Sequence, residues 1–188
     1  MEVIYQSNTL FHSLTHFFHI DQNLKNLLLE CGYTDGQIED QLKKPGSKFL
    51  PDFGKSPQEI VQKMLSLFPD KFLDATPEQD NKVRLSFCLN SPIGTNSLVC
   101  EDSLSPTERS GILTIERNGC IVRTVNISRE ILTNECQIIL APDNSDCIQN
   151  FGSKKYSLVT LFPGELAPPL PKAGEEPHPF WKNHLLIG

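Results

Sequence analysis

The chain has one tryptophan and two methionines in 188 residues, and no CxxC pair among its six cysteines. Zinc sites normally need closely spaced ligand pairs, and disulfide scaffolds are shorter and denser in cysteine. Cys31, Cys88, Cys100, Cys120, Cys136 and Cys147 therefore read as small hydrophobes, and burial is their expected fate. No apolar run approaches the roughly 20 residues of a membrane-spanning helix. The N-terminus, MEVIYQSNTLFHSL, lacks the positive region and compact apolar core of a secretory signal. The expectation is a cytoplasmic protein, or one exported by a route without a classical signal, with no membrane partner.

Excess positive charge is missing too. The net charge is −6, with 17 Lys and Arg against 23 Asp and Glu. Residues 1–81 carry 7 basic and 12 acidic side chains, and residues 82–188 carry 10 and 11. The overall acidity argues against non-specific nucleic-acid binding, but it does not exclude a small, locally basic site in the second part. The standard catalytic signatures are absent: no GxSxG, no Walker A sequence, no GxGxxG after a strand and no EF-hand loop.

What is present begins with helical periodicity. Leu10, Phe11, Leu14, Phe17 and Phe18 recur at helical spacing over residues 8–20, after Asn8 or Thr9 as N-cap. His12, His16 and His19 would share one face there, but no glutamate or second cluster completes a metal site, so the boundary face of an ordinary helix is the better account. A second helix starts at Asp21 and stops at Gly32, and a third covers roughly Asp35 to Lys43. Ser56-Pro57-Gln58-Glu59 supplies a cap, an N1 proline and an N3 glutamate for a fourth, with Ile60, Val61, Met64, Leu65 and Phe68 inward.

After the polar stretch DATPEQDN the period changes to alternation. Val83, Leu85, Phe87 and Leu89 face one way, and Arg84, Ser86 and Cys88 the other. GILTIERNGCIVRTVNI reads as a hairpin whose Asn118-Gly119 suits a type I′ turn. Further strands are expected near 97–100, 137–141 and 156–162. The fold class is α+β: an N-terminal helical region (1–73), then a β-rich region (82–188) with an antiparallel sheet of about five strands and a short C-terminal helix.

The stretch YSLVTLFPGELAPPLPKAGEEPHPFWKNHLLI is the most distinctive. Its prolines pre-set φ, so ordering it costs little backbone entropy. It would bring a strand threonine, Thr160, and a near-terminal histidine, His184, to one sheet, near Arg117 and Arg123 of the hairpin. RNA cleavage by 2′-hydroxyl attack needs a base, an acid and groups that stabilise phosphorane charge, and no metal. Histidine, arginine and threonine fit those roles. Each residue also has an ordinary account: surface charges for Arg117 and Arg123, β propensity for Thr160, a backbone bond for His184. Glu175-Glu176 reads as solvated loop, and Phe180 and Trp181 as anchors of the C-terminus rather than a base-stacking platform.

The runs IGTNSLV, ERNGCIVRTV, YSLVTLFPGELAPPLP and FWKNHLLI together resemble a bacterial family of hypothetical proteins. That family is similar in turn to the small sheet-and-helix ribonuclease toxins of the barnase, EndoU, colicin and RelE type. Over residues 82–187 the resemblance implies a metal-independent endoribonuclease that needs no cofactor. It implies His184, Thr160, Arg117 and Arg123 as catalytic positions, RNA as substrate, and a cognate antitoxin or immunity protein as partner. The chain departs from such toxins in its acidity and in the helical region before the sheet. The competing reading is a non-enzymatic protein-binding module acting through the acidic helical half, and a nucleotide-using transferase such as an ADP-ribosyltransferase ranks below both.

Overall fold

A computed structural model describes residues 1–142 and 155–188. Cys147 lies outside the described residues. The chain opens with a short strand, β1 (Glu2–Ile4), then α1 (Ser7–Ser13), which runs into a 3-10 turn, Leu14–His16. Then come α2 (Gln22–Glu30), α3 (Asp35–Lys43), β2 (Lys48–Phe49), α4 (Pro57–Leu67) and α5 (Pro69–Leu73). The strand-rich part holds β3 (Val83–Cys88), β4 (Gly94–Thr95), β5 (Leu98–Cys100), a short α6 (Pro106–Ser110), β6 (Leu113–Arg117) and β7 (Cys120–Val125). It closes with β8 (Leu132–Thr133), β9 (Glu135–Pro142), β10 (Lys155–Pro163), α7 (Pro179–Asn183) and β11 (His184–Ile187).

The fold is mixed α and β, but the strands do not form the single five-stranded antiparallel sheet expected. Among the described residues they form two four-stranded sheets, β1-β10-β9-β3 and β5-β11-β7-β6, and a small sheet of β2, β4 and β8. Two pairings between described strands are parallel, β1 with β10 and β11 with β7. Both involve short terminal strands whose pairing is set by distant partners, beyond the reach of local periodicity. The C-terminal helix is real but only five residues long. His184 to Ile187 continue as a strand between β5 and β7.

Local chemistry explains the helix ends. Asp21 accepts from the Leu24 amide at 2.8 Å to start α2. That helix stops where Gly32 takes φ +94°, with the Gly32 and Tyr33 amides donating back to Leu29 and Leu28 at 3.0 and 3.1 Å. This is the Schellman arrangement that glycine permits. Ser56 caps α4, while the Glu59 carboxylate reaches the Lys55 amide at 2.8 Å, one residue before the position a capping box uses. In the hairpin, Asn118 and Gly119 sit at φ +54° and +75°, as a type I′ turn requires.

The helix expected over 8–20 ends early. Phe17 leaves it to pack beside Phe49, with ring centroids 5.5 Å apart, deep in the main core. His12, His16 and His19 consequently do not share a face: His12 and His19 are exposed, and His16 turns inward. Burying Phe17 outweighs the weak propensity of a short helix to continue. The main core joins Ile60, Val61, Met64 and Phe72 of α4 and α5 to Phe87, Ile138 and Leu158 of the first sheet. It thus crosses the polar stretch at 74–81. Smaller clusters fill the space between α1, α2 and α3, and behind β5, β7 and β11. Of the five described cysteines, only Cys136 is buried, where burial pushes its thiol up to about 12. The others lie at outward strand positions or loop edges, which correct the expectation of buried thiols.

Candidate functional site

β10 ends in a sharp turn. Gly164, at φ +108°, donates its amide to Glu135 at 2.8 Å and accepts from the Gln137 side chain at 3.0 Å. The proline-rich segment then crosses toward β7 and is stitched to the hairpin. The Ile121 amide donates to the Pro171 carbonyl at 2.9 Å, and Ala173 donates to Gly119 at 3.0 Å. Trp181 is buried beneath it and donates its indole N–H to the Pro169 carbonyl at 2.9 Å. The segment is thus a strap over the second sheet, with one cavity on either side of Trp181.

The smaller cavity, about 160 Å³, is lined by Arg123, Trp181 and His184, with Ile121, Pro171 and Pro177. The His184 ring stacks on Phe180, with centroids 3.9 Å apart and planes 4° from parallel. Its Nδ1 lies 2.9 Å from the Phe180 carbonyl, and its Nε2 lies 3.5 Å from a Glu165 carboxylate oxygen. A carbonyl can only accept, so Nδ1 carries a proton. Nε2 is then a lone pair in the neutral ring and a donor to Glu165 in the protonated ring. The ring can therefore take up a proton at Nε2 and hold it against a carboxylate. Arg123 donates to Glu101 at 2.6 Å and to the Lys182 carbonyl at 2.9 Å. Those bonds use two of the five guanidinium N–H groups, and Arg123 lines the cavity.

Thr160 stands elsewhere. It sits where the β9–β10 register slips, between Leu158 and Thr160, and lines a second, larger groove of about 490 Å³. His16, Asn96, Phe162, Glu165 and Trp181 border the same groove. The Thr160 hydroxyl makes no hydrogen bond among the described residues. Arg117, at the exposed hairpin tip, lines neither cavity and has no side-chain partner among the described residues. The structure thus places Arg123 and His184 together and Thr160 across the strap. Glu165, which touches His184 and borders the Thr160 groove, links the two.

Glu165 and Glu101 escaped the sequence reading. The one signal for Glu165 was its place directly after the Pro163-Gly164 turn, where a side chain is thrown toward whatever the strap covers. Glu101 had none, because it follows β5 and meets Arg123 of β7 across β11, within one sheet.

His16 walls the groove from the helical side. Its Nδ1 donates to the Ser47 carbonyl at 2.9 Å, and its ring lies 5.7 Å from that of Phe162. Burial lowers its pKa to about 4; the Ser47 bond opposes the shift, and the positive charges of His12 and Lys48 add to it. In the unfolded chain the value returns to about 6.5. The unfolded state therefore binds more protons between those limits, and stability falls as pH drops from about 6.5 to 4. Urea unfolding at pH 7 and pH 4.5 should show a loss of about 2 kcal/mol from this group, most of it absent in His16→Asn. Asparagine keeps a donor for Ser47 but does not titrate. An equal loss in both proteins would contradict the assignment.

Among the described residues no three His, Cys, Asp or Glu side chains are grouped so as to hold a metal ion. No described helix is long and apolar enough to cross a membrane. Comparison with protein-family models, with curated proteins and with solved structures finds no match to the chain.

Proposed function

We propose that the chain is a metal-independent endoribonuclease that cleaves RNA by attack of the 2′-hydroxyl on the adjacent phosphate. The observation that carries the reading is the clamped imidazole of His184, with Nδ1 on the Phe180 carbonyl and Nε2 opposite Glu165, in one cavity with Arg123. His184 Nε2 takes the 2′-hydroxyl proton, and Glu165 stabilises the resulting imidazolium. The 2′-oxygen bonds to phosphorus as the bond from phosphorus to the 5′-oxygen breaks, and that oxygen leaves with a proton from water, whose hydroxide recovers the proton held by His184. The free N–H groups of Arg123 face the charge that builds on the phosphorane. Thr160, in the neighbouring groove, binds the flanking nucleotide rather than the reacting phosphate. Arg117 at the hairpin tip contacts the phosphate chain outside the cavity. The residue resemblance to ribonuclease toxins supports the same class, with a cognate antitoxin or immunity protein as its partner.

The test uses two oligonucleotides of one sequence, unmodified RNA and its 2′-O-methyl form, incubated with the protein and EDTA. Cleavage of the first alone, leaving 2′,3′-cyclic phosphate ends, is the expected result. Cleavage of both, or of neither, would sink the proposal.

One observation favours the competing reading of a protein-binding module. Leu67 and Leu73, on α4 and α5, are 56% and 70% exposed in the acidic half. They lie apart from the strap cavities.

A further inference from the structure

A third cleft, of about 280 Å³, opens between the C-terminal end of α3 and the turn at 129–131. Lys43, Lys44, Lys48 and Arg129 line it against the single carboxylate of Glu130. That is a concentrated positive surface in a chain whose net charge is −6. Phe18, 45% exposed, forms part of the same wall. Asn96 borders both this cleft and the Thr160 groove, and Trp181 borders both that groove and the His184 cavity. Each neighbouring pair of spaces thus shares a wall residue.

The four cations are not equivalent. Lys48 is structural: its ammonium donates to the carbonyls of Leu42, Thr15 and Phe17 at 2.7, 2.8 and 3.3 Å. It ties the ends of α3 and the 3-10 turn to β2, and also lies 6.0 Å from the Phe18 ring centroid. Arg129 is held by Glu108 at 3.1 Å and the Ser103 carbonyl at 3.2 Å. The Lys43 ammonium has only a loose, exposed contact of 3.7 Å with Glu39, and the Lys44 side chain makes no hydrogen bond or ion pair among the described residues. The α3 C-terminus attracts cations through its dipole, but that needs no cleft and no exposed aromatic ring. A positive groove beside an aromatic side chain is the arrangement that follows a single-stranded nucleic acid.

We propose that this cleft holds the single-stranded part of an RNA substrate several nucleotides from the cut. Lys43 and Lys44 meet its phosphates, and Phe18 offers a face for one base. The inference rests on the nuclease reading for the identity of the strand.

The test measures binding of a 2′-O-methyl oligoribonucleotide of about 12 residues, which 2′-hydroxyl attack cannot cleave. For the pair Lys43→Gln and Lys44→Gln, both exposed, the slope of log affinity against log salt should shrink by about 1.4. Phe18→Ala should weaken binding by about fivefold or more. Cleavage of a dinucleotide substrate should not change in the lysine variant. Wild-type affinity and slope in the lysine variant, with cleavage intact, would overturn the cleft and leave the nuclease standing. Salt-dependent binding lost in that variant, with no RNA cleavage by the wild type, would overturn the nuclease and leave a single-strand binding site. Polyglutamate competing as well as unlabelled RNA would point to an acidic peptide and overturn the cleft's assignment.

Discussion

His184→Ala should lower RNA cleavage by about 10²–10⁴-fold, the range for loss of a positioned general base. The change removes the lone pair at Nε2, and no other described side chain in that cavity offers an unprotonated ring nitrogen. It also removes stacking on Phe180 and a bond to a backbone carbonyl, so the melting temperature must be measured alongside the rate. A folded variant with wild-type activity would end the proposed role. Glu165→Gln keeps the shape but loses the charge facing Nε2, and a smaller loss of rate is expected. Thr160→Val is the informative comparison. It preserves the strand and removes only the hydroxyl, in the neighbouring groove, so its effect on rate should stay below about tenfold.

Gly94→Ala should be the most destabilising conservative change near the site. An added Cβ would lie 2.5 Å from Pro163 Cβ and 2.6 Å from the backbone oxygen of Lys48. Neither neighbour is the movable end of a flexible side chain, so β4, β2 or the start of the strap must shift. Overpacking of this kind costs about 3 kcal/mol, which lowers the melting temperature of a domain this size by roughly 6–12 °C. Because Pro163 begins the turn that carries Glu165, cleavage should fall as well. Gly36→Ala is the control, since its added Cβ would meet nothing within 4 Å and α3 tolerates alanine better than glycine. A melting temperature for Gly94→Ala within about 2 °C of wild type would show that the strap is not held by this contact.

The parts of the fold legible in the sequence are those fixed within a few residues. The Ser56 cap, the Gly32 stop, the Asn118-Gly119 turn and the alternation of β3 each depend on neighbours in the chain. The three-residue β1 and the two-residue β2, β4 and β8 are too short to show a period. β11 was hidden because HLLI follows a helical turn and gains its strand partners, Val99 and Thr124 among them, from far along the chain. The same division holds at the site. Sequence reasoning found His184 and Arg123, which share a cavity. It also grouped with them Thr160, which faces the next groove, and Arg117, which faces solvent.

By itself, then, the amino-acid sequence determined an α and β protein, its helix caps, its central hairpin and a stiff strap leading back from Pro163 to His184. Those are consequences of local dihedral preference and of periodic hydrophobicity. Only the tertiary structure decided that the strands divide into separate sheets and that Phe17 leaves its helix for the core. It alone put Glu165 opposite His184 and locked Arg123 to Glu101. These outcomes come from burial and pairing between residues tens of positions apart, where chain spacing carries no information about distance.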